Sequence, residues 1–188
     1  MNRRTLILGA SALPLLVVAG CGVVTTTTVN GVTTVTVNVA TATADLSGLA
    51  AAAAIFVMLP GVGALLGPSV ATAVPLVIAK VNAAIPALQQ AAGGTQTFAF
   101  TTASAPYFVA DLLGAVQMLT RDAVAVLPKV GSAGAAANVS QYGQAVQSLG
   151  MAVLALFGAP APVAAALGGA PQMSVPDALA LVGIKAPA

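Results

Sequence analysis

The chain has 188 residues, 59% of them hydrophobic and 5% charged, against roughly 25% charged in an ordinary soluble protein. Arg3 and Arg4 account for the formal charge of +2: beyond them Lys80, Arg121, Lys129 and Lys185 balance Asp45, Asp111, Asp122 and Asp177, which leaves no basic patch for phosphates and excludes nucleic acid as a partner. Histidine and glutamate are absent and there is one cysteine, so Ser-His-Asp and Cys-His catalysis, histidine metal sites, carboxylate-histidine di-iron centres and an intrachain disulfide are all excluded.

Residues 1–20 read as a cleaved export signal: a basic "MNRR", an apolar "TLILGASALPLLVV" and the small pair Ala19-Gly20 before Cys21. Gly9 and Pro14 interrupt the apolar run, which is short for a spanning helix. Val18-Ala19-Gly20-Cys21 resembles the lipobox of bacterial lipoproteins. That resemblance implies cleavage before Cys21, thioether lipidation of its sulfur and acylation of the new amino terminus, a durable membrane anchor because each buried CH₂ contributes ~0.8 kcal/mol. Arg3-Arg4 followed by Thr5, Leu6 and Ile7 also resembles a twin-arginine signal; an ordinary secretory signal opening with two arginines fits the same residues. In lipoproteins an aspartate after the cysteine retains the protein in the inner membrane, so Gly22 implies the outer membrane, facing the periplasm. The resemblance covers the first 22 residues and carries no functional information about the mature domain.

Residues 21–44 form the lipidated N-terminus and a Thr/Val-rich segment, "VVTTTTVNGVTTVTVNVATATA". Its β-branched side chains favour extended backbone, and Asn30-Gly31 is a strong hairpin signal. Pairing across that turn sets Val29 opposite Val32, Thr26 opposite Val35 and Val24 opposite Val37, with Val24, Val35, Val37 and Val39 on one face. A lone hairpin is marginal, and "TQTFAFTT", 95–102, is the natural third strand. The alternative is an extended tether between membrane and domain.

From residue 45 to 157 the pattern is helical. Residues 46–59 carry no polar face and predict a central helix, capped by Asp45 or Thr43 and ended by Pro60-Gly61. Over 68–90, Val70, Val74, Val77, Val81, Ile85 and Leu88 share a stripe, with Lys80, Asn82, Pro75 and Pro86 away from it and Gly93-Gly94 as the stop. A third helix starts at the Ser104-Ala105-Pro106 cap, buries Phe108, Leu112, Val116, Leu119, Ala123 and Val126, and carries Asp111, Gln117, Arg121 and Asp122 on the opposite arc. A fourth begins near Asn138 or Ser140, with Tyr142, Val146, Leu149, Val153 and Leu156 inward and Gln141, Gln144, Gln147 and Ser148 outward. Residues 158–188 hold a Pro/Ala/Gly-rich connector and a short helix with Ser174 as cap, Pro176 in the first turn and Asp177 near the positive end of the dipole.

These elements predict a mainly α fold: a small helical bundle around a hydrophobic central helix, preceded by the hairpin or tether. The competing arrangement inserts residues 46–79 into a bilayer, since no charge falls between Asp45 and Lys80; Pro60, Gly61, Gly63, Gly67 and Pro68 break that stretch.

The remaining chemistry is sparse. "PGVGALLG" lacks the lysine of a phosphate-binding loop. Asp111 and Asp122 share a helix face but lie ~16 Å apart at 1.5 Å per residue, too far for paired acid-base work, and read as solvated charges. Lys80 and Arg121 read as surface or rim residues. The expectation is a lipid-anchored envelope protein that is not an enzyme, needs no metal or cofactor, and binds an envelope protein or an apolar ligand through a groove or strand edge.

Overall fold

The computed structural model describes residues 25–129, 135–159 and 173–187. In chain order the described elements are β1 (Thr25–Val29), β2 (Val32–Asn38), α1 (Val39–Met58), α2 (Val62–Leu66), α3 (Pro68–Ala92), β3 (Thr97–Thr101), α4 (Tyr107–Val126), α5 (Ala135–Leu156) and α6 (Val175–Leu181). The fold is mainly α, a helical bundle with a three-stranded antiparallel sheet on its N-terminal side.

The sheet has the order β1-β2-β3. Asn30 and Gly31 take φ of 51° and 77°, the positive values a two-residue hairpin turn requires. The register pairs Val29 with Val32 and Thr26 with Val35, and β3 completes the sheet by pairing Phe100 with Val35 and Phe98 with Val37. Residues 25–38 are therefore a folded hairpin and not an extended tether. Val35, Val37, Phe98 and Phe100 are buried on the inner face. Phe98 stacks on Phe100 at 5.5 Å and meets Phe108 of α4 at 5.9 Å, while Phe100 meets Phe157 at 6.4 Å. This aromatic set clamps the sheet to the helices.

The central helix starts earlier than predicted, at Val39, so neither Asp45 nor Thr43 caps it. Asn38 does: its side chain accepts from the Thr41 N–H at 3.0 Å. Val39 belongs to the helix and not to the sheet face, although its N–H still donates to the Gln96 carbonyl at 2.9 Å, so strand pairing runs directly into the helix. The cap signal outweighs the β-branched threonines of "VATATA". α1 packs against α3, α5 and α6, with Leu46, Leu49 and Ala52 fully buried.

The α3 stripe lies where expected: Val74, Val77, Val81 and Leu88 are buried, and Val70 and Ile85 pack partly buried against the core. Pro75 and Pro86 lie within the helix away from the buried stripe, and Gly93 caps it with φ 59°. For α4, Leu112, Val116, Leu119, Ala123 and Val126 are buried as predicted, and Phe108 partly so. Its N-terminus is not side-chain capped; Ser104 lies in a preceding turn with its hydroxyl 2.6 Å from that of Thr101, and Pro106 stands at the cap position.

α5 begins at Ala135, ahead of Asn138 and Ser140. Gln147 and Ser148, predicted to face out, are buried at 6% and 1% exposure. For Ser148 the cause is the start of the α6 region: α6 packs on α5, and the Ser148 hydroxyl donates to the Met173 carbonyl. α5 thus shares the centre with α1. α6 is capped as predicted, with Ser174 accepting from the Asp177 N–H at 3.3 Å.

Candidate functional site

α3 and α4 lie side by side. Between them runs an open groove of about 360 Å³. Val77 of α3 and Ala115 of α4 are buried at its base. Ala73, Ala110 and Gly114 line it with little or no side chain, and a Cβ added at Gly114 would meet nothing within 4 Å. Leu76 and Met118 line it too, exposed at 70% and 37%, large apolar side chains standing in solvent beside that space. The two charges on the groove, Lys80 and Asp111, are both exposed, and neither forms an ion pair within 4 Å among the described residues. Small residues make this groove because α3 and α4 each carry alanine or glycine on the face adjoining the buried stripe.

Asp111 and Asp122 have different surroundings despite their shared helix face. Asp111 is exposed on the groove. Asp122 is half-buried and lines a cavity of about 10 Å³ together with Phe56, Leu66, Val74 and Leu119. Burial raises its pKa, opposed by the Arg121 guanidinium with Nε 3.7 Å from Oδ1. The reading of Asp122 as a solvated charge is therefore corrected; Arg121, its partner, is exposed as expected.

Asp45, expected at a helix end, sits inside α1 and is 3% exposed. Desolvation pushes its pKa up from 3.8 to about 6. The sequence carries the signal: Asp45, Leu49, Ala52 and Phe56 fall at helical spacing on one buried stripe. The groove is less legible, since its apolar members Leu76 and Met118 lie off the main stripes and read as isolated surface residues.

Among the described residues no three of His, Cys, Asp or Glu gather as a metal site would require. The free edge of β1 is a row of threonines ending in the exposed Val29. The lipobox residues Val18, Ala19, Gly20 and Cys21, Gly22 beside them, the arginines Arg3 and Arg4, and the connector at 160–172 lie outside the described residues. The groove is apolar in the middle, with one charge of each sign. No family model, curated protein or solved structure matches the chain.

Proposed function

We propose that this is a lipid-anchored cell-envelope protein, tethered through Cys21, whose helical domain binds a partner through the α3–α4 groove and performs no catalysis. The anchor rests on the lipobox-like Val18-Ala19-Gly20-Cys21, and placement at the outer membrane, facing the periplasm, rests on Gly22. The observation that carries the binding role is the groove, where Leu76 is 70% exposed beside open space at Gly114. A large aliphatic side chain in solvent next to an unfilled apolar recess favours a partner that covers both.

Two measurements test this. Labelled palmitate should enter the wild type and not Cys21→Ala; a processed, soluble Cys21→Ala protein that still takes up label would overturn the anchor. A photo-crosslinking side chain at position 114, introduced in intact cells, should give a discrete adduct, and one at the exposed Gln141 of α5 should not. Equal background at both positions would overturn the groove.

The competing reading is a membrane-active protein that inserts residues 46–79. Val39–Met58 and Thr72–Ala92 are long and apolar enough to cross a membrane by length and composition. Against insertion stands the placement of α1, whose Leu46, Leu49 and Phe56 are core residues of the bundle. Alkaline carbonate extraction after enzymatic release of the anchor should free the protein; retention in the membrane pellet would favour insertion.

A further inference from the structure

α3 is the helix whose apolar surface the bundle leaves uncovered. Its Thr72–Ala92 stretch is long and apolar enough to span a membrane, yet less of it is buried in the bundle than of α1. Pro75, Leu76, Ala79 and Ala83 are exposed or half-exposed along it. This surface continues into the α3–α4 groove, where Leu76 and Met118 stand beside the recess at Gly114.

We propose that the occupant of this groove is the same groove of a second copy, forming a two-fold symmetric homodimer. The proposal rests on the binding role of the groove and names the partner. A two-fold interface brings one patch against itself, so the patch must hold both halves of every complementary pair. The α3–α4 surface does. It carries large apolar side chains, Leu76 and Met118, and recesses to receive them, Gly114 with Ala110 and Ala73. It carries one cation, Lys80, and one anion, Asp111, neither in an ion pair among the described residues. Across a two-fold axis Lys80 of each copy meets Asp111 of the other, giving two identical pairs.

The same charges argue against a lipid surface. A helix lying on a bilayer carries cations on its polar side and aromatic rings at the headgroup level. The groove lining has an aspartate and no aromatic residue, and the one exposed ring nearby, Tyr107, lies a turn before Asp111 on α4. Setting Asp111 against hydrocarbon or anionic headgroups is unfavourable, whereas setting it against a lysine is not.

Charge reversal tests the pairing. Lys80→Asp leaves two anions on the groove and Asp111→Lys leaves two cations, so each variant alone repels its own copy. Mixed together, the two variants restore attraction between unlike copies. Sedimentation of the lipidated full-length protein, in detergent with empty micelles in excess, should show a dimer for wild type. Each single variant should lower the dimer fraction by about tenfold or more, and an equimolar mixture should recover it as a heterodimer. Unchanged far-ultraviolet circular dichroism and melting of the monomeric variants would show that the fold is intact, as expected for two exposed residues. A wild type that stays monomeric at about 100 µM, single variants that remain dimeric, or a mixture that fails to recover would each overturn the proposal. Failure of the groove reading itself is separate. A discrete position-114 adduct with the mass of another molecule keeps the groove as a binding site and removes the homodimer, while no adduct removes both.

Discussion

Gly150 of α5 lies directly against Thr120 of α4: a Cβ at position 150 would fall on the Thr120 hydroxyl oxygen. That hydroxyl donates to the Val116 carbonyl one turn back at 2.8 Å, so Thr120 is buried with its polar group satisfied inside its own helix. The missing side chain at 150 lets the two helix backbones approach. Thr120 is β-branched, and its hydroxyl is held by the Val116 carbonyl, so turning it away from position 150 disturbs that hydrogen bond. Gly150→Ala should therefore destabilise the fold by about 1–3 kcal/mol, although alanine is the better helix former. In chemical denaturation the loss should shrink when Thr120→Ala is combined with it. Fully additive effects would mean that the two residues do not touch.

Asp45 gives the fold a dependence on pH. Burial raises its pKa from 3.8 to about 6, so the folded chain holds the proton more tightly than the unfolded chain does. Stability is therefore greatest below pH ~4 as far as this group is concerned, falls as pH rises through ~6, and is flat above. A shift of about two pKa units corresponds to ~3 kcal/mol at most. Asp45→Asn keeps the shape and removes the charge. It should be more stable than wild type at pH 7.5 by up to ~3 kcal/mol and nearly equal to it at pH 4. Asp122, also raised by burial, contributes to the slope of both proteins and drops out of their difference. A difference that does not change with pH would show that Asp45 is ionised to the same extent folded and unfolded.

Long stripes were legible in the sequence because one helix face repeats many times: Val74, Val77, Val81 and Leu88 of α3 are buried where the period puts them. The hairpin was legible because Asn30-Gly31 determines both the turn and the register. Ends and second faces were not. α1 starts at Val39 because one residue, Asn38, closes the strand and caps the helix, a local event hidden under a run of β-branched residues. Ser148 looks solvent-facing until Met173, distant in sequence, meets it just ahead of α6. The groove depends on which small residues of two separate helices come together, Ala73 with Ala110 and Gly114, and periodicity within either helix does not show that.

Truncation on the buried stripes should separate cleanly from truncation outside them. Leu149 is fully buried and packs against Gly48 of α1; Leu149→Ala should cost about 2–5 kcal/mol. Val77 is 8% exposed and loses less volume, so Val77→Ala should cost about 1–2 kcal/mol. Asn82→Ala and Gln141→Ala, both exposed on the same two helices, should stay within about 0.5 kcal/mol. Urea midpoints for the four variants check this, and similar losses on both faces would place the helices in the wrong rotation.

Asn38 joins the sheet to the bundle, and its variants report on where α1 begins. Its side-chain oxygen accepts the Thr41 N–H, one of the helix donors that have no partner within the helix. Alanine removes that acceptor, so Asn38→Ala should cost about 1 kcal/mol. Aspartate keeps the acceptor and adds a negative charge at the positive end of the helix dipole, so Asn38→Asp should match wild type or exceed it by a few tenths of a kcal/mol at low salt. The small gain should fade as salt is added, because a charge near a helix end is screened. Neither substitution alters the strand pairing of Asn38 with Thr97, which runs through the backbone. A loss for aspartate equal to that for alanine would mean that the oxygen is not capping. A neutral alanine variant would mean that the turn formed by residues 39–42 contributes no stability, and that the helix is effectively nucleated nearer residue 46.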